Sequence, residues 1–254
     1  MSPNNTRLAG RTALVTGSTG GLGAAFAAAL AAEGAFVVVS GRNAARGKDV
    51  VAGIESRGGA AAFVPADLGL GTDEVRRLAA EATAAAHGRI DILVNNAALL
   101  LTPSPTADVP EQLIRDAFAV NVTAAFLLTG SIAPAMAQRG RGSIINIGSI
   151  NGLLGMGGSA LYSATKATIH SLTKSWTDEY GPHGVRVNTV APGPSLTERS
   201  EEFAEYVAPV LARVPSRRAS TMAEVAAAVV FLASDDAANI LGATLSVDGG
   251  WAAV

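Results

Sequence analysis

Tyr162 and Lys166 stand four residues apart in a stretch, 159–181, that reads as helix. Residues at that spacing share one helix face. A phenol is a poor acid or base near neutrality, with a free pKa near ~10. A neighbouring ammonium favours the phenolate and lowers that value, so the pair could pass a proton to or from a substrate oxygen. Taken alone, it is also what an ordinary surface pair looks like. Ser149 follows a β-branched run, Ser143–Ile147. Open α/β sheets place ligands at the carboxyl ends of strands, so this hydroxyl could hold the same oxygen. A serine there is equally a common turn or cap residue. Its context, Ile147-Gly148-Ser149-Ile150-Asn151, lacks the glycine two residues on that a nucleophile elbow requires. No histidine is placed by motif to activate it, and a serine hydrolase is a poor reading. Asn121 lies in an apolar helical stretch, where asparagine is usually a buried hydrogen-bond link.

A second chemical signal is the run Gly17-Ser18-Thr19-Gly20-Gly21-Leu22-Gly23, directly after a strand and opening a helix at about Leu22. Glycines there let the backbone turn tightly and approach a pyrophosphate seated on helix N–H groups. The next strand leads into Ser40-Gly41-Arg42-Asn43. Sites for NAD usually put an acid here to accept from the ribose 2′-hydroxyl, and the position falls on Gly41. Arg42 is instead suited to a 2′-phosphate, with Thr19, Ser40 and Asn43 able to add hydrogen bonds. The missing acid favours NADP(H). His87, His170 and His183 have no metal spacing and there is no cysteine, so no metal is expected. His87 reads as a helix C-terminal cap, His183 as part of a turn, and His170 as a packing or solvent-facing residue.

The elements that must position these groups alternate. β-branched runs fall at Thr12–Thr16, Phe36–Ser40, Ala62–Pro65, Ile90–Val94, Ser143–Ile147, Val185–Val190 and Ala243–Val247. Several are apolar on both faces, as strands of a covered parallel sheet must be. Helical stretches lie between them at about 21–34, 43–57, 72–87, 110–138, 159–181 and 222–234. The pattern predicts an α/β fold, a single-domain doubly wound parallel sheet (Rossmann-type) of about seven strands with helices on both faces. Segment 194–220, with Pro194, Pro209, Pro215 and the charged run Glu198–Glu202, is irregular and reads as a short substrate lid.

The 254 residues carry a formal charge of −2, which gives no reason to expect nucleic acid or an anionic membrane surface as partner. No apolar run reads as long enough to span a bilayer, and the polar start, Met1–Arg11, has no signal-peptide pattern. A cysteine-free chain fits a reducing cytoplasm, the expected location.

Taken together, these motifs resemble the classical short-chain dehydrogenase/reductase family, similar to 3-oxoacyl-carrier-protein reductases and sugar or polyol dehydrogenases, over nearly all of residues 8–251. Thr16-Gly17-x-x-x-Gly21-x-Gly23 resembles the family's cofactor loop, and Asp67-Leu68 its adenine contact. Asn95-Asn96-Ala97-Ala98 resembles its Asn-Asn-Ala-Gly stretch, with Ala98 departing from glycine. Tyr162-Ser-Ala-Thr-Lys166 is its Tyr-x-x-x-Lys. Pro192, Gly193 and Thr197 resemble the nicotinamide-side loop, and Val247-Asp248-Gly249-Gly250 the C-terminal signature. The resemblance implies that Asn121, Ser149, Tyr162 and Lys166 are catalytic, with Tyr162 as general acid/base. It also implies that Lys166 holds the nicotinamide ribose and that Asn121 binds a water feeding protons to Lys166.

The expected activity is therefore NADP(H)-dependent hydride transfer between nicotinamide and a ketone or secondary alcohol. An enoyl reductase on the same fold is one alternative, but such members usually space Tyr and Lys by seven. A non-enzymatic NADP(H)-binding regulator is another, but such proteins typically lose the Tyr or Lys. Pocket walls should come from Leu99–Leu101, Ile150–Met156 and 194–215, mostly apolar. Arg213, Arg217 and Arg218 could meet an acidic carrier, though beside a surface segment they read as solvated. The apolar 110–138 stretch and Trp251 point to a homo-oligomer, a tetramer with two-fold axes.

Overall fold

The structure, a computed structural model, describes residues 6–197 and 204–254. β1 (Thr12–Val15), β2 (Phe36–Gly41), β3 (Ala60–Pro65), β4 (Ile92–Asn95), β5 (Gly142–Ile147), β6 (Val185–Pro192) and β7 (Thr244–Val247) form one sheet in the order β3-β2-β1-β4-β5-β6-β7. Every pairing is parallel. The helices are α1 (Gly21–Ala32), α2 (Ala44–Glu55), α3 (Thr72–Ala85), α4 (Glu111–Phe118), α5 (Ala124–Gln138), α6 (Ala160–Tyr180), α7 (Ala204–Leu211) and α8 (Met222–Ala233).

Strand periodicity explains why both faces are dry. Ala13 and Val15 point to one side and Leu14 to the other; Val37 and Val39 alternate with Val38, and Ile92 and Val94 with Leu93. The first set packs with Phe26 and Leu30 of α1 and Val225, Val229 and Leu232 of α8. The second packs with Leu78 of α3, Leu128, Ile132 and Met136 of α5, and Trp176 of α6. Chain direction across the sheet reverses between β1 and β4, which opens a crevice at their carboxyl ends where such sheets hold ligands.

The structure departs from the sequence expectations in three places. First, the stretch expected as one helix over 110–138 is interrupted. Ala119–Thr123, between α4 and α5, is a π-helical turn, a feature frequent at functional sites. Second, the whole Glu111–Gln138 stretch is long and apolar enough to cross a membrane by length and composition, contrary to the reading of the sequence. Its buried residues, among them Ala124, Leu128, Ile132 and Met136, pack on the sheet, as in a core helix. Third, 194–220 is not wholly irregular. It contains α7, with Pro209 inside it, and a parallel bridge from Ser195 to Ser220. The prolines read as breakers, yet one proline removes only one N–H donor. The charged run Glu198–Glu202 lies outside the described residues.

Candidate active site

The glycine turn rises from β1 into α1. Gly20 caps α1 without a side-chain hydrogen bond, and the first turn carries no acid, so the positive end of the helix is left uncompensated. Gly23 is required by close approach: a Cβ there would stand 2.2 Å from the Gly17 carbonyl oxygen. Above the turn the space is open, since a Cβ at Gly21 would meet nothing within 4 Å. Leu22 is partly buried on the first turn of α1. Ser18 behaves differently from expectation. It is fully buried, its hydroxyl donates to Val15 O at 2.6 Å and accepts from Ser40 N at 2.9 Å, and its N–H donates to Ser40 O. Ser18 and Ser40 therefore tie the turn to β2, leaving neither the Ser18 hydroxyl nor its amide for a ligand.

Arg42 lies just past β2 with its side chain 74% exposed, 4.0 Å from the Asp67 carboxylate. Asp67 also caps its own turn by accepting from Gly69 N at 3.0 Å, and it is held by Glu74, which accepts from Asp67 N. Leu68 beside it is buried. Asn43 spends its Oδ1 capping α2 through Arg46 N at 3.0 Å. Gly41 has no positive φ, but a Cβ there would stand 2.8 Å from Thr19 Cγ2. An acid at 41 is thus excluded unless Thr19 moves, which is a reason for the missing carboxylate that the sequence could not show.

At the end of β4, Thr16 Oγ1 accepts from the N–H groups of Asn96 and Ala97, both at 3.0 Å, and fixes Ala97 against the glycine turn. Asn95 points into the sheet instead: its Nδ2 donates to Asn146 Oδ1 at 2.9 Å and to Thr129 Oγ1 at 3.2 Å. Asn95 lines a water-sized cavity together with Thr16, Asn121 and Lys166. Asn121, in the π turn, accepts from Leu99 N at 2.6 Å and donates to Thr165 Oγ1 at 3.2 Å. The extra residue of the π turn aims this side chain inward.

Ser149 lies just beyond β5 and accepts at Oγ from Asn151 N at 3.2 Å, which leaves the hydroxyl proton to donate elsewhere. Its hydroxyl lies near enough to Tyr162 to favour the phenolate. Lys166, 4% exposed, donates from Nζ to Ile147 O at 2.8 Å and lies 5.6 Å from the Tyr162 ring centre. The expected lowering of the tyrosine pKa is not found. Desolvation pushes Tyr162 up to about 12, with the Ser149 hydroxyl pulling the other way. The same desolvation brings Lys166 down to about 8. Burial penalises charge on both groups, and Lys166 spends its ammonium on a carbonyl.

On the far side, Gly193 N donates to Val247 O at 3.0 Å beside Pro192 at the end of β6, and Thr197 closes the first described segment. Asp248 accepts from Gly250 N and Ala252 N. Arg213, Arg217 and Arg218 are exposed, and Arg218 pairs with Glu224 at 2.6 Å. His170, read from sequence as packing or solvent-facing, is 6% exposed and touches the backbone of Ser149. Its position eight residues after Tyr162, on the same helix stripe, was the available signal.

Residues from the ends of β1, β4, β5 and β6 thus converge on one crevice, with an uncapped helix N-terminus on one side and Ser149, Tyr162 and Lys166 on the other. This is a Rossmann-type fold with Ser149, Tyr162 and Lys166 grouped at the carboxyl end of its sheet. Its glycine turn, open above Gly21, and its exposed Arg42 fit a dinucleotide carrying a 2′-phosphate. A family model described as enoyl-(acyl carrier protein) reductase matches residues 17–252. A 3-oxoacyl-[acyl-carrier-protein] reductase of Synechocystis sp. is 40% identical over 251 residues, covering 96% of this chain and 98% of the relative. A cyclopentanol dehydrogenase of Comamonas sp. is 37% identical over 253 residues, covering 97% and 99%. A solved structure described as an NAD(P)-dependent gluconate 5-dehydrogenase from Beutenbergia cavernae, with NADP bound at low occupancy, is 37% identical with a TM-score of 0.92, covering 99% and 100%. The chain belongs to the short-chain dehydrogenase/reductase family and is an oxidoreductase acting on alcohol or ketone groups.

Gly23→Ala is expected to weaken the cofactor turn, because its Cβ meets backbone rather than a movable side chain. Overpacking of this kind costs ~1–3 kcal/mol. Calorimetry should show a lower Tm and a smaller upward shift on adding NADPH or NADH than the wild type shows; an unchanged cofactor shift would refute the reading of this turn as a cofactor site.

Proposed function

We propose that the protein is an NADP(H)-dependent reductase or dehydrogenase in which Tyr162 is the general acid/base for interconverting a ketone and a secondary alcohol. The observation that carries this reading is the meeting of Ser149, Tyr162 and Lys166 at the end of β5, with Lys166 also lining the small cavity that reaches Thr16 and Ala97. Bound NADP(H) supplies or takes the hydride. Ser149, with its proton free to donate, holds the substrate oxygen, and Tyr162 gives that oxygen a proton in reduction and removes it in oxidation. Lys166 holds the nicotinamide ribose and, lying close to neutrality, can pass a proton onward; Asn121 lines the water-sized cavity beside it. An enoyl reductase is less well supported, because the Tyr–Lys gap is four rather than seven.

The substrate we infer is uncharged with an apolar body. Loops 97–104 and 149–159, after adjacent strands β4 and β5, contain no charged residue, and neither do residues 193–197 after β6, ahead of the charged run Glu198–Glu202. Each exposes a leucine: Leu100, Leu153 and Leu196 are 46% to 54% exposed. The first two loops are joined by Ser104 N donating to Gly158 O at 2.8 Å. The chain also fits a homotetramer through α5 and α6, where Phe126 is 52% exposed against Trp176. A monomer mass by light scattering at micromolar concentration would overturn that.

In a carbonyl panel read by NADPH absorbance, neutral alicyclic ketones should outrun carboxylate-bearing sugar acids. Tyr162→Phe should keep NADPH binding and lose about 10²–10⁴-fold in turnover. Since Tyr162 holds its proton to about 12, alcohol oxidation should climb as pH rises into the alkaline range while carbonyl reduction falls there. Tyr162→Phe turning over within a few-fold of wild type sinks the reading.

Wild type should also favour NADPH over NADH. A charge-assisted contact is worth roughly 1.5–3 kcal/mol, and Arg42 is exposed enough to place it at the lower end, about tenfold in affinity. Arg42→Ala should weaken NADPH by that factor and leave NADH nearly unchanged. Equal kinetics with both cofactors in wild type would send Arg42 back to the solvated surface.

A further inference from the structure

Helix α6 places three polar side chains on one stripe, at successive spacings of four: Tyr162, Lys166 and His170. The first two reach the site. The third reaches beneath it. His170 Nε2 lies 3.1 Å from Ser149 O, and Nδ1 lies 3.2 Å from Thr244 Oγ1 on β7. The ring fills the space under the serine loop: a Cβ on Gly148 would stand 2.6 Å from its Nε2, and one on Gly152 2.7 Å from its Cδ2. The imidazole shares that volume with Thr189 Cγ2 at Gly148 and with the α6 backbone at Lys166 and Ala167 at Gly152, so both positions beside Ser149 admit only glycine.

We propose that His170 is a positioning residue for Ser149, held as a neutral imidazole that donates through Nε2 to the Ser149 carbonyl and accepts at Nδ1 from the Thr244 hydroxyl. The inference rests on the reading of Ser149 as the group that holds the substrate oxygen.

Nε2 faces both backbone groups of Ser149, the carbonyl oxygen at 3.1 Å and the N–H at 3.5 Å. The shorter contact sets the tautomer: a carbonyl has only lone pairs, so Nε2 carries the proton and Nδ1 has the lone pair that Thr244 meets. Burial and the nearby charges of Lys166 and Lys174 also hold the ring neutral. The consequence is geometric. Ser149 follows β5 and begins a 3₁₀ turn, Ile150–Gly152, where its neighbours on both sides include glycine. Gly148 N is tied to Val190 O on β6 and Gly152 N to Ser149 O within the turn, but neither bond joins Ser149 to α6. His170 anchors it to the helix that carries Tyr162 and Lys166 and, through Thr244, to β7. Ser149 and Tyr162 are thereby referred to one rigid body, and the hydroxyl–phenol distance is set by α6. Misplacing a reacting group by about 1 Å can cost on the order of 10²-fold.

The test uses the full-length enzyme with NADPH and the best ketone from the panel. His170→Met fills the same space without a donor, and His170→Gln restores a donor at the Nε2 position. The Met variant should keep NADPH affinity and lose about ten- to a hundredfold in kcat, with a smaller change in KM. The Gln variant should recover most of it. In a Ser149→Ala background, His170→Met should cost nothing further. Equal loss in Met and Gln, or a full additive loss without the serine, would reduce His170 to packing and overturn the proposal. If Ser149→Ala itself leaves turnover intact, the role of Ser149 falls, and this proposal with it. Nitrogen-15 NMR gives a readout that does not depend on a variant folding, since the chain has three histidines. At neutral pH the His170 ring should carry its proton on Nε2, and an Nδ1–H tautomer or an imidazolium would overturn the assignment.

Discussion

Lys166 Nζ is buried and donates to the carbonyl oxygen of Ile147 at 2.8 Å. That single bond sets the terms for the rest of the site. A carbonyl is a dipole, not a counter-charge, and cannot offset the lost hydration of an ammonium. The protein tolerates the contact because α6 is pressed onto the sheet through Ile169 and Trp176, both buried. The same dry surroundings act on the neighbouring phenol with opposite sign. One environment therefore drives an acid and a base toward their neutral forms, Tyr162 as phenol and Lys166 toward the free amine. A glutamate partner for Lys166 would have locked the charge in place.

The strand ends inherit their precision from this packing. β5 carries Ile147 and leads into Ser149, while β4 carries Asn95 and leads into Ala97, and both are pinned by hydrogen bonds from neighbouring elements, to which the β5 end adds those of its own turn. Thr16 does for the β4 end what α6 does for β5. Side chains that look decorative in a list, such as Ser18 and Asn43, turn out to hold the cofactor turn and the start of α2 in place.

Much of this architecture is legible in the residues. Strands apolar on both faces and helices of fixed period announce a covered parallel sheet, and each strand lies within two residues of its expected bounds. The glycine turn, Tyr162 and Lys166 are legible because their spacing is local. What is hidden is whatever depends on two distant segments meeting. The π turn at Ala119–Thr123 has no composition signal; it exists because Asn121 finds the backbone of Leu99. The rise in the Tyr162 pKa reflects burial by other parts of the chain, so the lysine beside it in sequence misleads. α7 was obscured by a proline that the helix absorbs. His170 looked idle because its partners, Ser149 and Thr244, lie 21 and 74 residues away.

Both feet of the 194–220 segment are fastened to the end of the sheet. Leu196 N donates to Ser220 O and Ser220 N to Pro194 O, closing one foot against the other. Ser220 Oγ reaches Val247 O, and Ser216 N reaches Gly249 O, bolting the pair to the chain that leaves β7. A span clamped at its ends can change length or sequence in between for a small entropic cost, since closure free energy grows only logarithmically with length. Helix α6, with Tyr162 and Lys166, shares neither foot. On the proposed reading, selection could rewrite what this protein accepts without touching how it reacts, and the clamp at Ser216, Ser220 and Gly249 would be the boundary between the two.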